Sequence, residues 1–352
     1  MHSMQIVEWG QALKPMEAPD PVPEGTEVLV RIEACGVCHS DIHIQDGVSD
    51  MGGGRKIEYA KVGFTLPHTL GHEMVGVVAA LGPEATGVNV GDKRVVFPWI
   101  GCGRCEFCKR GDELLCNNGQ ALGVRRAGGY ADRVLVPHPR YLIDYAGIPA
   151  DLACTYACSG LTAYSALKKL APLGAEETVV IVGAGGVGLS AVKIAPSVLK
   201  ARIVVADLDA KKREAALEAG AAAAYDNADK ESLAKLRAET QFGAGAAGAI
   251  DFVGAPATAQ FGVNCLRRDG KLIEVGLAGG EVPFGMLTFA NRMLTIRGSY
   301  VGSLAEMHEL MALVQAGKVP PIPVAARPLD GANQVLDDLR AGKIFGRVVL
   351  KP

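Results

Sequence analysis

The run Thr178-Val179-Val180-Ile181-Val182 passes without a spacer into Gly183-Ala184-Gly185-Gly186-Val187-Gly188. Five consecutive residues of this kind read as a buried strand, and a helical pattern continues from the glycines to Leu199. A strand that turns so tightly into a helix restricts the chain to an α/β arrangement with helical crossovers. Gly183, Gly185 and Gly188 permit the turn and let a pyrophosphate approach backbone N–H groups at the helix N-terminus. A second strand, 201–206, ends at Asp207. A carboxylate there accepts hydrogen bonds from the adenosine ribose hydroxyls and repels a 2′-phosphate, which predicts NAD rather than NADP.

The same half of the chain continues the alternation. Residues 211–219 carry a helical pattern, and 248–253, 271–275 and 294–297 read as strands, predicting a doubly wound parallel sheet across 156–297. Upstream the character differs. Residues 27–33 alternate apolar with polar, 74–81 and 93–97 are similar, and Gly82-Pro83 and Gly91-Asp92 supply turns. Residues 1–155 are therefore assigned to a separate domain, as a chain of 352 residues leads one to expect. The strand-like Gly346-Arg347-Val348-Val349-Leu350 assigns 298–352 as a return to that first domain. Between them, 46–66 holds Gly52-Gly53-Gly54 and little periodicity, and is expected to be a long, mobile surface loop.

A net charge of −2 offers no basic excess for a nucleic acid. No apolar run reaches the length of a bilayer span, and the N-terminus lacks a leader pattern, so no membrane partner and a cytoplasmic location are expected. In a reducing compartment, clustered cysteines read better as metal ligands than as disulfides.

Cys102, Cys105, Cys108 and Cys116 have the spacing C-x2-C-x2-C-x7-C. Four thiolates so placed can close a tetrahedral shell around one zinc, which leaves no position for substrate and fixes a lobe around 99–117. An iron–sulfur cluster takes four thiolates too, and a set of free cysteines is the plainest alternative. A second group is scattered: Cys38, His72 and Cys158. Two thiolates and an imidazole would leave one position open on a catalytic zinc. Each alone reads equally well as core, the cysteines as small hydrophobes and the histidine as a hydrogen-bonded interior residue.

The motifs GVCHSDIH, LGHE, CGRCEFCKRGDELLC, ACSGLTAY and VGAGGVG occur in the order found in the medium-chain zinc alcohol dehydrogenases, and the chain resembles that family along essentially its whole length. The resemblance implies a mostly β, GroES-like catalytic domain beside a Rossmann cofactor domain, with two zinc ions and NAD. It places Cys38, His72 and Cys158 on the catalytic metal, with Glu73 as the carboxylate behind it. Asp41 would orient the ligating histidine. Ser40 and His43 fall on a proton relay. His39 and Arg347 would contact the pyrophosphate, and Thr162 and Val187 the nicotinamide ring. Gly186 belongs to the phosphate turn. Leu277 and Val301 occupy segments that hold the carboxamide. Lys212 stands where a second ribose contact is common, although Lys211, Lys212 and Arg213 also read as the solvated start of a helix. Cys35 and Cys154 lie near two ligands but off the ligand positions, and are assigned to packing.

The implied reaction is NAD-linked interconversion of a primary or secondary alcohol with its aldehyde or ketone. Alternatives are a polyol or formaldehyde dehydrogenase on the same scaffold, a zinc-free reductase, and a catalytically inactive nucleotide-binding sensor. Trp99 would lie near the substrate channel or in the core. The segment around 49–62 would be a lid or rim, an oligomer contact or a passive insertion. The resemblance also implies a homodimer or homotetramer, paired through the strand near 294–300.

Overall fold

The computed structural model describes residues 1–352. Thr178–Val182 is wholly buried near the middle of a six-stranded parallel sheet. On one side lie Arg202–Ala206 and Ala223–Tyr225, and on the other Ala246–Asp251, Leu266–Glu274 and Thr295–Gly298. Parallel neighbours need crossovers, supplied by helices such as Gly186–Ile194, Ala210–Glu218 and Pro256–Cys265. Chain order runs outward both ways from Thr178–Val182, so a crevice opens beyond the carboxyl ends of the central strands.

The other large sheet has seven strands. Val28–Gly36 sits inside it, antiparallel to Glu73–Leu81, Arg133–Val136 and Arg347–Lys351. That last strand sets Val349 opposite Gly36 and Leu350 opposite Cys35, so the C-terminus does return to this sheet. A small sheet, Lys14–Glu17, His2–Ile6 and His68–Thr69, has no counterpart in the sequence reading. Its strands are too short for alternation to show.

One apolar core joins both sheets, since Val30 and Ile181 belong to the same cluster. Helix Ser159–Leu170, almost entirely buried, packs on Gly186–Ile194 and on Leu304–Gln315 and carries that core across. No helix is long and apolar enough to cross a membrane.

The irregular loop expected at 46–66 is corrected by the structure. Val48–Asp50 pairs with Lys56–Glu58 as a hairpin, followed by the 3-10 turn Tyr59–Val62. Gly52, Gly53 and Gly54 all have positive φ and form its tip, which is why the segment looks unpatterned in sequence. Tyr59 stacks on Phe64 at 4.6 Å, and Arg125 lies over the Phe64 ring at 4.1 Å.

Candidate active site and metal centres

Cys38, His72 and Cys158 arrive from three element ends. Cys38 caps helix His39–Asp46, His72 immediately precedes strand Glu73–Leu81, and Cys158 precedes helix Ser159–Leu170. Their ligand atoms all lie within 4.8 Å of one another, and all three residues are buried. Asp41, wholly buried, organises the group. Its Oδ2 accepts from Cys38 N at 2.9 Å and from Tyr130 Oη at 3.0 Å, while Oδ1 stands 3.3 Å from His72 Nδ1. Tyr130 carries no sequence signal for this role.

With Nδ1 turned to Asp41, His72 Nε2 is the nitrogen left for the sulfurs, and it has no hydrogen-bond partner. Hydrogen bonding from Cys158 draws the Cys38 thiol well below its ordinary value against the effect of burial, with His72 and Arg347 helping. An unpartnered buried imidazole nitrogen beside an acidified thiol is costly by itself. A divalent cation that prefers nitrogen and sulfur would satisfy it, so the donor set fits zinc.

Behind this group Arg347 donates to Glu73 Oε2, and Ser159 N donates to Glu73 Oε1 at 3.0 Å. Burial pushes the Glu73 carboxyl up, and Arg347 opposes that.

In the second cluster, Cys105 and Cys108 sulfurs are 3.4 Å apart and those of Cys102 and Cys108 are 3.9 Å apart. These separations exceed a disulfide and bracket the edge of about 3.8 Å that a tetrahedron of Zn–S bonds of about 2.3 Å requires. All four sulfurs fall within 4.8 Å, a space for one ion and too tight for a cluster of several irons. Backbone N–H groups of Arg104 and Cys105 lower the Cys102 thiol to about 6. Glu113 braces the lobe, accepting from Gly101 N at 2.6 Å and from Tyr141 Oη at 2.8 Å.

The glycine turn is built as its sequence requires. Gly183 has φ 90°, and a Cβ on Gly188 would lie 1.9 Å from Gly183 O. A Cβ on Gly185 would meet nothing within 4 Å, so the backbone is open to a ligand there. Asp207 Oδ2 accepts from Ala184 N at 2.7 Å, fixing the strand end against the turn. Arg213 does not stand as a free solvated residue: its Nη1 donates to Asp207 O, Leu208 O and Asp226 Oδ2. Lys212 is half-buried beside it. Gly186 packs on Arg347, which a Cβ there would strike at 2.4 Å. Thr162 and Val301 are buried, Val187 is half-buried, and His39 and Leu277 are exposed. Cys35 and Cys154 are fully buried, outside both ligand groups.

A cleft of about 690 Å³ lies between the two sheets. Ser40 and His43 face it, and Ser40 Oγ is 3.8 Å from Cys38 Sγ. Trp99 lines it too, its ring 5.3 Å from that of His72 and its Nε1 donating to Ala157 O at 2.8 Å. Tyr59, Phe64, Met51 and Tyr300 complete a largely apolar, aromatic wall. The hairpin's residues thus rim the cleft, and its tip meets the other side: a Cβ on Gly52 would lie 2.6 Å from Gly280 O, and one on Gly279 2.6 Å from Asp50 O.

Residues 24–146 match the family described as alcohol dehydrogenase GroES-like domain, and 186–316 match zinc-binding dehydrogenase. The chain is 38% identical to an NAD-dependent alcohol dehydrogenase of Sulfurisphaera tokodaii and 36% identical to one of Saccharolobus solfataricus, each alignment covering 100% of both chains. Among solved structures, the alcohol dehydrogenase of Aeropyrum pernix superposes with a TM-score of 0.90 at 32% identity, again over 100% of both chains.

Proposed function

The chain belongs to the zinc-containing medium-chain alcohol dehydrogenase family, and from that premise we propose that it interconverts an alcohol and its carbonyl compound with NAD. The observation that carries this reading is the convergence of Cys38, His72 and Cys158 beside an apolar cleft whose far wall belongs to the nucleotide-binding sheet. In this reading those three hold the catalytic zinc, and Cys102, Cys105, Cys108 and Cys116 hold the structural one. When bound, zinc supplies Lewis-acid stabilisation of negative charge on the substrate oxygen, and the nicotinamide supplies the hydride acceptor.

The chain's own residues do the rest. Ser40 takes the hydroxyl proton and His43, which lines the same cleft, delivers it to water. Asp41 keeps His72 in the tautomer that presents Nε2. Thr162 and Val187 press the nicotinamide ring, Leu277 and Val301 hold its carboxamide, and His39, Arg347 and the 183–188 turn hold the pyrophosphate. Asp207 and Lys212 receive the adenosine ribose. Trp99, Tyr59 and Phe64 exclude water and favour apolar or aromatic alcohols over polyols.

The division into 1–155, 156–297 and 298–352 follows from the same reading, as does a cytoplasmic location, in keeping with nine cysteines of which none forms a disulfide. Self-association through Thr295–Gly298 is supported by its unpaired edge and by exposed Met286, Leu287 and Met293 alongside. Alcohols, polyols and aldehydes assayed with NAD and NADP test the activity. NADH formation from simple apolar alcohols is expected; turnover confined to polyols or formaldehyde would replace this reading.

A further inference from the structure

Asp251 and Glu274 are directly opposed in register at the carboxyl ends of adjacent parallel strands, so their side chains leave the sheet on one face. Asp251 is fully buried, and its Oδ1 accepts from Val253 N at 2.8 Å and Gly254 N at 3.1 Å. Its Oδ2 and Glu274 Oε1 are both buried without a donor. No cation answers them. The flanking strands set Val182 opposite Asp251 and Gly298 opposite Glu274, and helix Pro256–Cys265 offers only the Thr258 hydroxyl. Two carboxylates cannot both stay charged in such a place, whereas one proton between them satisfies both orphaned oxygens.

Glu274, half-buried, itself reaches the cleft wall, to which the turns that follow these strands supply Gly254, Ala255 and Pro256, and Gly276, Leu277 and Gly279. We propose that Asp251 and Glu274 share one proton, and that this shared proton positions the two turns against the nicotinamide end of the cofactor. The pair touches neither metal group and acts through the turns as a positioning device. That it serves NAD rests on the function proposed above; that it shares a proton does not.

Burial, reinforced by Asp251, raises Glu274 to about 8, and burial raises Asp251 as well. A folded-state value above the ordinary glutamate value of about 4.3 means that the pair's contribution is complete below that value and is lost as pH rises through about 8. If cofactor binding needs the shared proton, affinity should fall by about tenfold between pH 7 and pH 9 through this pair alone.

The test compares zinc-loaded wild type with Glu274→Gln and Asp251→Asn, isosteres that supply the hydrogen bond without a titrating proton. Thermal unfolding without cofactor and NADH affinity by fluorescence are each measured from pH 6 to pH 10. Wild type should lose stability more steeply than either variant from pH 6 to about pH 8 and run parallel to them above it, whereas its NADH affinity should fall more steeply than theirs above about pH 8; at pH 7 the variants should match its affinity within about twofold. Parallel pH profiles in all three proteins would overturn the proposal, as would alkaline sensitivity that increases in the variants. Steeper wild-type unfolding with no NADH binding at any pH would leave the proton pair standing and overturn the cofactor reading instead.

Discussion

Arg347 lies with its guanidinium against Glu73, almost wholly buried, and its side chain also packs on Gly186 of the glycine turn. One residue from the returning C-terminal strand thus joins the carboxylate behind Cys38, His72 and Cys158 to the glycine turn of the other sheet. Removing Glu73 alone would strand a buried cation. Glu73→Ala is expected to cost about 3–5 kcal/mol, whereas Glu73→Leu with Arg347→Met together should cost less than the single change. Denaturation of zinc-loaded protein checks this; a double-variant loss equal to the sum of the two single losses would show the pair to be independent.

Asp207 combines a charge with an accepted hydrogen bond from Ala184. Asp207→Asn keeps an acceptor for Ala184, gives up the one that holds Asp209 N, and removes the repulsion of a 2′-phosphate. The preference for NAD over NADP in kcat/KM should narrow by about 10- to 100-fold, the equivalent of a charged hydrogen bond of about 1.5–3 kcal/mol.

His43 lines the cleft from the last turn of the helix that Cys38 begins. His43→Gln should slow turnover by about tenfold while leaving zinc content and NADH affinity unchanged. Imidazole added to the assay should restore part of the lost rate. Full activity without added base would remove His43 from the relay.

Gly279 and Gly52 let the hairpin tip and the cofactor sheet meet backbone to backbone. Both have positive φ, 87° and 76°, so an alanine at either adds about 1–2 kcal/mol of backbone strain to the steric clash. Gly279→Ala and Gly52→Ala are expected to raise KM for bulky alcohols more than kcat falls, with zinc content unchanged. Identical substrate profiles would make the hairpin a passive insertion.

Much of this was legible because the chemistry demands particular residues at particular spacings. The strand-to-glycine transition at Val182–Gly183 and the four-cysteine run announce themselves locally. Scattered ligands are harder: Cys38, His72 and Cys158 stand out only through their flanking motifs, since nothing in the chain between Cys38 and Cys158 signals their proximity. Tyr130, Glu113 and Glu274 carry no sequence signal for their roles, and Arg213 reads there only as part of a solvated helix start. Their partners are set by the folded chain, and a polar residue in a strand or turn has no periodic signature. The 46–66 hairpin is hidden in the sequence because three consecutive glycines set its geometry while erasing the alternation by which strands are recognised.

Metal content tests the central claim most directly. Freshly purified protein, analysed by elemental and native mass measurement, should contain two zinc ions per chain. Cys38→Ser should retain the ion held by Cys102, Cys105, Cys108 and Cys116 and lose catalysis, while Cys108→Ser should retain the other ion. One zinc or none in the wild type, or two in the Cys38 variant, would contradict the account.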